Sequence, residues 1–335
     1  MTMSETELRR ARRVLVTHEK LAPDAVRLLN DHDVDVIFSP PYTPSDELAG
    51  KVARWQVDAL IIRQGRITEE VIAASPKLRV IAKHGVGVDN VDLKAAAERG
   101  IPVVRATGSN ARAVAEMTLS LAVALLKELP HLDASTKGGR WLKPTFVGRD
   151  IEGSVLGLVG FGSIGQEVAR MGRALGFRIV AHDPHGQAAI RSFDAAIGRT
   201  LDELLAEADV VSLHCPLTNE TRGMIGRPQF ERMKPGAILV NTARGGLVDA
   251  ADLGAALREG RLGGAGLDSF AQEPPAPDDP LWRAPNLLVT PHVAGVTHGA
   301  TRTMALMAAR QVVDILDGGA PVPRNLVGAA ERATA

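Results

Sequence analysis

The sequence predicts an α/β protein built of two similar units, each a parallel sheet with helices on both faces. Three observations carry this. Short apolar, β-branched runs alternate with amphipathic or polar segments along most of the chain, the pattern of βα units. The alternation runs through the first third, is interrupted by a stretch punctuated by glycine and proline at 137–153, and begins again at Ser154. The length, 335 residues, matches roughly two domains of ordinary size.

In the first third, residues 14–16 read as a strand and 22–29 as a helix. Residues 34–38, 59–62, 78–82 and 102–104 read as further strands, with helical patterns between most of them, notably 91–99. Residues 113–129 read as one long helix, apolar nearly all round and therefore buried. After Ser154, strands are expected at 155–159, 178–181, 210–213, 237–240, 264–267 and 287–290. Helical periodicity closes the chain at 299–316.

Composition removes several classes. Hydrophobic residues make up 45%, enough for more than one core. Lys+Arg and Asp+Glu are both 39, a balance that argues against a nucleic-acid binder. Cys215 stands alone, so no intramolecular disulfide and no cysteine-based zinc site can form, and no metal is expected. The charged segment 1–13 has no apolar core and does not read as a signal peptide. The longest apolar run, 117–126, lies between Glu116 and Lys127 and is far short of a membrane span. A cytoplasmic protein without membrane or nucleic-acid partners is expected.

The segment LGLVGFGSIGQEVAR holds Gly160, Gly162 and Gly165 in the spacing G-x-G-x-x-G, after a β-branched strand and before a helical pattern of Ile164, Val168, Met171 and Leu175. The first glycine permits a tight turn. The second lets the backbone approach a pyrophosphate, and the third lets helix and strand pack closely. The helix N-terminus then offers unpaired N–H groups to the anion. The next strand ends at Asp183, 18 residues beyond Gly165, near the position of an acid that accepts ribose hydroxyls. Strand, glycines, helix, strand and acid in order predict a dinucleotide site. Asp183 repels a 2′-phosphate and so favours NAD over NADP, with His185 and Arg191 close enough to soften that preference. Asp183 before Pro184 also reads as a turn former.

Three later strands end in polar segments, where open α/β sheets bind ligands. They are Asn241-Thr242-Ala243-Arg244-Gly245-Gly246, Asp268-Ser269-Phe270-Ala271-Gln272-Glu273-Pro274 and Thr290-Pro291-His292-Val293-Ala294-Gly295. Singly, Arg244 reads as a surface ion-pair member, Glu273 as a loop carboxylate and His292 as a satisfied polar residue. Together they supply a cation for a substrate carboxylate or carbonyl, an acid/base group and a carboxylate to orient it.

With LGLVGFGSIGQEVAR, the segments KHGVGVDNVD, HCPLTNETRGMI, MKPGAILVNTARGGLVD and TPHVAG resemble the D-isomer-specific 2-hydroxyacid dehydrogenases, over nearly the whole chain from about Arg13 to Leu316. The resemblance implies two Rossmann-like, doubly wound parallel-sheet domains. Residues 107–293 would form the NAD-binding domain. Residues 1–106 and 294–335 would form a flavodoxin-like substrate domain, discontinuous in sequence. It implies a catalytic triad of Arg244, Glu273 and His292. The cofactor would meet Gly160, Gly162, Ser163, Ile164, Gly165, Asp183, His214, Cys215, Pro216, Thr242, Ala243, Asp268 and Gly295, with Asp268 on the nicotinamide carboxamide. The turn Gly85-Val86-Gly87 would offer N–H groups to the substrate carboxylate, a role that an anion nest of successive N–H groups suits. Substrate contacts would come from Arg63, Lys83, Val86, Gly87, Arg244 and His292. A homodimer is implied, and Trp141 in GGRWLKP resembles a segment that reaches a neighbouring subunit's site.

The activity implied is NAD-dependent hydride transfer between a small D-2-hydroxy acid and its 2-keto acid. His292 would exchange the hydroxyl proton, helped by an ionised Glu273 that favours the imidazolium. Arg63, in LIIRQGRIT, resembles the position where phosphoglycerate dehydrogenases hold an acidic C3 group, and Lys83, His84 and Arg66 add positive charge. A 3-phosphoglycerate-like or sulfolactate-like substrate fits these cations. So does their being solvated or paired with Asp89 or Glu69. Glyoxylate or hydroxypyruvate reduction needs only the core machinery and stays open. The other class is a non-catalytic NAD(H)-sensing protein, against which all three triad positions being filled counts.

Overall fold

The computed structural model of the protein describes residues 12–194 and 196–328. Most of the charged segment 1–13, and both outer ends of the expected substrate domain, lie outside the described residues. The chain divides into two compact units, one formed by residues up to Asn110 and from Thr297 onward, the other by Ala111–Val296. Among the described residues no helix is long and apolar enough to cross a membrane.

The first unit runs β1 (Arg12–Val16), α1 (Pro23–Asn30), β2 (Val34–Phe38), α2 (Ser45–Trp55), β3 (Ala59–Ile62), α3 (Glu69–Ala73), β4 (Val80–Lys83), α4 (Leu93–Glu98) and β5 (Val103–Arg105). The C-terminal helix His298–Leu316 completes it. The five strands are parallel in the order β2-β1-β3-β4-β5, the flavodoxin order. Side chains alternate between the faces with period two. Leu15, Leu60, Ile62 and Ile81 face Leu48, Val52, Val71 and Leu93 on one side. Val14, Val16, Ile61 and Val80 face Ala25, Leu29, Ala305, Ala308, Ala309 and Val312 on the other. The alanines of the C-terminal helix recur at helical spacing, so its small-residue stripe lies against the sheet. Thr297 caps this helix by accepting from the Ala300 N–H (3.2 Å), and Arg79 donates to the Leu316 carbonyl at its other end (2.9 Å).

The second unit runs α5 (Ala111–Leu126), α6 (Leu129–Lys137), β6 (Val155–Val159), α7 (Ser163–Ala174), β7 (Arg178–His182), α8 (Gln187–Ser192), β8 (Ala196–Gly198), α9 (Leu201–Glu207), β9 (Val210–Leu213), α10 (Arg227–Arg232), β10 (Ala237–Asn241), α11 (Ala250–Arg258), β11 (Leu262–Leu267) and β12 (Leu287–Val289). Its seven parallel strands lie in the order β12-β11-β10-β9-β6-β7-β8. Counted from β8, the first six follow the 3-2-1-4-5-6 order of dinucleotide-binding sheets, and β12 adds a seventh. The order reverses between β6 and β9, so the ligand crevice of this fold lies beyond their carboxyl ends.

Three details differ from the sequence reading. The long helix expected at 113–129 stops at Leu126, and the chain restarts as α6 after Glu128 takes a left-handed conformation (φ 51°). Pro130 explains the restart. A proline has no N–H and is tolerated in a first helical turn, whereas in the interior it clashes with the preceding turn. The strand β8 was not expected: three residues on the sheet edge carry no apolar run. The strand expected at 78–82 is Val80–Lys83, which places Lys83 on the strand end.

Helix α5 is apolar nearly all round because it is buried on most sides. Only a narrow line of Arg112, Glu116 and Ser120 faces outward. It lies close on β11 because that strand offers glycines: a Cβ on Gly264 would come within 2.9 Å of Leu125, and one on Gly266 within 3.0 Å of Leu121.

Candidate active site

The glycine turn leaves β6 at the point where the sheet order reverses. Gly160 has φ +100°, and a Cβ there would stand 2.6 Å from the His214 carbonyl carbon. The turn is therefore packed directly against the loop after β9, and the Gly160 N–H donates to the His182 carbonyl at 2.8 Å. A Cβ on Gly165 would stand 2.4 Å from the Gly160 carbonyl oxygen, so only glycine lets α7 begin so close to the turn. Gly162 is different: a Cβ there would meet nothing within 4 Å. It would project into open space at the start of α7. The N–H groups of Ser163, Ile164 and Gly165 have no acceptor within the helix, whose first helical bond runs from Gln166 to Gly162 at 3.0 Å. This is a concave, anion-attracting cradle that a side chain at 162 would fill, and it fits the pyrophosphate of a dinucleotide.

Asp183 lies at the end of β7, half-buried. Its carboxylate accepts the N–H groups of Phe161 (2.8 Å), His185 (2.9 Å) and Gly186 (2.8 Å). These bonds form the turn after β7 and tie it to the glycine turn. His214 is fixed by Ser212, whose Oγ lies 2.9 Å from its Nε2. Burial pushes its pKa down to about 3, so the ring is neutral through the physiological range. Burial pushes the Cys215 thiol up to about 11, and neighbouring Asp183 adds to this, so it is a protonated thiol and not a nucleophile. Pro216 is exposed beside it. Thr242 is buried, and its hydroxyl lies 2.8 Å from that of Thr118 on α5. Thr118 donates to the Val114 carbonyl, which leaves Thr242 as the donor of the pair.

The ends of β10, β11 and β12 carry the chemical groups. Asn241, fully buried, accepts the Ala243 N–H at 3.0 Å and donates to the Arg244 carbonyl at 2.8 Å, which shapes the turn that presents Arg244. Gly245 makes the tightest approach: a Cβ there would stand 2.0 Å from the Phe270 carbonyl carbon and 2.3 Å from the Ala271 nitrogen. Absence of a side chain at 245 therefore lets the Arg244 turn seat against the loop that carries Glu273.

Asp268 is 1% exposed and accepts three bonds from the segment after β12: the Thr290 hydroxyl (2.5 Å), the Val293 N–H (2.9 Å) and the Ala294 N–H (2.8 Å). Between those anchors His292 is held at φ 55°, a conformation that strains a non-glycine residue by about 1–3 kcal/mol and persists only where the surroundings over-determine it. Hydrogen bonds to a charged group contribute about 1.5–3 kcal/mol each, so the three on Asp268 suffice to hold it.

His292 Nδ1 lies 2.7 Å from Glu273 Oε2, and Glu273 Oε1 accepts the Phe270 N–H at 3.0 Å. A carboxylate is acceptor-only, so Nδ1 carries the proton of this bond and Nε2 is the nitrogen left to exchange one. Nε2 has no protein partner among the described residues. Burial pushes the Glu273 carboxyl up, but the His292 bond, the Phe270 N–H and the charges of His292 and Arg244 outweigh it and hold it below the ordinary carboxylate range. Arg244, Glu273 and His292 are thus brought together, in the same unit as the glycine turn. Gly295 follows His292 by three residues, half-buried. Among the described residues no group of three or more His, Cys, Asp or Glu side chains could hold a metal ion.

The remaining candidates belong to the first unit. Arg63 follows β3, and its Nη1 donates to the Lys20 carbonyl at 3.0 Å. Lys83 donates to Asn90 Oδ1 at 3.0 Å, and Asn90 in turn donates to the Gly65 carbonyl at 2.6 Å. Gly85 has φ +145°, and Val86 and Gly87 lie half-exposed after it. Reasoning from sequence missed Thr118 and Ser212, and placed Thr290 in a strand-end segment without its role as a partner of Asp268. A lone threonine in the apolar run of α5 was the one available signal.

Residues 119–294 match the family profile described as D-isomer specific 2-hydroxyacid dehydrogenase, NAD binding domain. The chain is 38% identical over 326 residues to the glyoxylate reductase of Aeropyrum pernix, covering 94% of this chain and 95% of that protein. It is 37% identical over 310 residues to the D-3-phosphoglycerate dehydrogenase of Archaeoglobus fulgidus, covering 91% of this chain but 58% of that one. The chain therefore spans little more than half the length of that relative. The crystal structure of the TT0316 protein from Thermus thermophilus is similar with a TM-score of 0.84 and 39% identity, covering 94% of this chain and all of that one. A profile match over the whole second unit's sheet, and a relative matched almost end to end, show that the chain belongs to the D-isomer specific 2-hydroxyacid dehydrogenase family.

Proposed function

We propose that the protein is an NAD-dependent oxidoreductase that interconverts a small D-2-hydroxy acid and its 2-keto acid by hydride transfer. The observation that carries this is the 2.7 Å bond between His292 and Glu273, with Arg244 close enough to stabilise the ionised Glu273. Bound NAD would supply the hydride acceptor, held by the cradle of Gly160, Gly162, Ser163, Ile164 and Gly165, the acid Asp183, and the loops at His214, Cys215, Pro216, Thr242, Ala243, Asp268 and Gly295. The negative Asp183 beside the turn favours NAD over NADP.

The protein's own groups then divide the work. His292 Nε2 takes the hydroxyl proton in oxidation and returns it in reduction. Glu273 keeps the ring in the tautomer that frees Nε2 and stabilises the imidazolium. Arg244 is the cation for charge on the keto oxygen and for the substrate carboxylate. The N–H groups of Val86 and Gly87 receive that carboxylate, and Arg63 and Lys83 receive an anionic C3 substituent where the substrate has one. The second reading, a glyoxylate or hydroxypyruvate reductase, is favoured by the relative that the chain matches over nearly its full length.

Residues 1–106 and 294–335 would serve as the substrate-binding domain and 107–293 as the NAD-binding domain. A homodimer in the cytoplasm completes the proposal. Exposed Leu129, Trp141 and Val147 within one stretch of the second unit support a subunit contact, and a single free cysteine suits a reducing compartment. The test is turnover of a 2-keto acid panel with NADH, followed by NADH absorbance: glyoxylate, hydroxypyruvate, phosphohydroxypyruvate and sulfopyruvate. Reduction of at least one is expected, with the D-product wherever the new C2 is chiral, as it is for all but glyoxylate. Intact NADH binding with no turnover of any would leave the non-catalytic sensor as the better reading.

A further inference from the structure

In the first unit the sheet order reverses between β1 and β3, and ligands of such sheets bind beyond the carboxyl ends at that point. His18 and Arg63 are among the nitrogen-bearing side chains that follow these two strands. Arg63 follows β3, and among the described residues no carboxylate pairs with it. His18 follows β1, with only the exposed Glu19 as an acid beside it. Both are fixed by the peptide groups of one residue. The Lys20 N–H donates to His18 Nδ1 at 3.0 Å, and the Lys20 carbonyl accepts from Arg63 Nη1 at 3.0 Å. Thr17 completes the frame: its hydroxyl accepts the Arg63 N–H at 2.9 Å and donates to the Gln64 carbonyl at 2.7 Å.

This frame has a chemical consequence. Because Nδ1 accepts a hydrogen bond, the neutral His18 ring carries its proton on Nε2. That N–H has no acceptor among the described residues. Burial and the Arg63 charge both disfavour the imidazolium of His18. The neighbouring His84, on the end of β4, is pushed down to about 4 by burial and by Arg63 and Lys83. The locality therefore holds a half-buried guanidinium without a counter-charge, and a preorganised neutral donor beside it. Half-buried charges are ordinarily paired, and an oxyanion would satisfy both groups at once.

We propose that His18 is the second donor of an anion subsite built on Arg63, its Nε2–H and the guanidinium together holding an oxyanion on C3 of the substrate. The substrate class is then a 2-keto or D-2-hydroxy acid with a phosphate, sulfonate or carboxylate on C3. This rests on the dehydrogenase reading for its substrate, but the subsite itself is testable without turnover.

Inorganic phosphate is titrated calorimetrically into the protein saturated with NADH, so that the α7 cradle is already filled. The wild type is expected to bind, His18→Ala to bind about tenfold more weakly, as loss of a hydrogen bond to a charged group implies, and Arg63→Ala to lose binding. His18→Gln, which keeps an N–H donor, should recover part of the loss. No binding by the wild type, or equal affinity in His18→Ala, overturns the proposal.

Turnover then distinguishes the anions, through the ratio of kcat/KM for phosphohydroxypyruvate, sulfopyruvate or oxaloacetate to that for glyoxylate. His18→Ala should lower the ratio for the preferred anion about tenfold. An equal loss on glyoxylate, leaving every ratio unmoved, overturns it. Absence of all turnover in the wild type would sink the dehydrogenase reading, while the phosphate titration would still decide the subsite.

Discussion

Replacing His292 with alanine lowers kcat for 2-keto acid reduction by about 10²–10⁴-fold, the range that a positioned acid/base contributes, while NADH affinity changes by no more than about twofold. The geometry sets both halves of this expectation. The imidazole is the group whose Nδ1 is taken by Glu273 and whose Nε2 is left without a protein partner. Nothing else at these strand ends can substitute. His214 is neutral and tied to Ser212, and Cys215 is a half-buried, protonated thiol. The cradle for the dinucleotide lies at the start of α7, on a different loop, so its N–H groups are untouched by the substitution. Steady-state kinetics with NADH binding by fluorescence checks this. A variant with normal kcat removes His292 from the mechanism.

Gly245→Ala is the second large effect. The added methyl would stand 2.0 Å from the Phe270 carbonyl carbon and 2.4 Å from its Cα. Those are backbone atoms, so no side chain can swing away to make room, and overpacking of this kind costs roughly 1–3 kcal/mol or more. The relief available is to separate the Arg244 turn from the loop of Phe270 and Glu273. A displacement of about 1 Å at reacting groups costs on the order of 10²-fold in rate. The expected outcome is a lowered Tm together with a kcat loss of about 10²-fold, read by thermal melting and by turnover on the best substrate. Wild-type kcat in a folded variant would show that the close seating of these two loops does not position the chemistry.

The sheets were legible because parallel strands covered on both faces are continuous apolar runs. Residues 59–62 and 155–159 are such runs, and they are strands throughout. Edge strand β8 has only a half-buried alanine, an exposed isoleucine and an exposed glycine, and so leaves no trace in periodicity. The break between α5 and α6 was hidden because Leu129 extends the apolar pattern past the real helix end. Only Pro130 marks the restart.

At the site, the glycine spacing and the polar residues ending three strands were readable. Their spatial reasons were not. In sequence Gly245 is one member of the strand-end segment 241–246, whereas its missing side chain is what lets two loops meet. Asp268 reads as a ligand contact, while its carboxylate is also the anchor that keeps His292 in a left-handed conformation. Such ties join residues 22 to 26 positions apart and have no signature in local sequence.

The pH dependence of kcat/KM for keto-acid reduction, compared between wild type and Glu273→Gln, tests the central claim most directly. Reduction consumes a proton held by the His292–Glu273 pair, so the rate falls as pH rises through deprotonation of that pair. Glu273 is held ionised 2.7 Å from the ring, so the proton of the pair is shared with a negative charge. Glutamine keeps an acceptor for Nδ1–H but removes the charge. The alkaline limb should therefore move to lower pH. A limb that stays where it is in wild type contradicts the pairing of these two residues as the acid/base of the reaction.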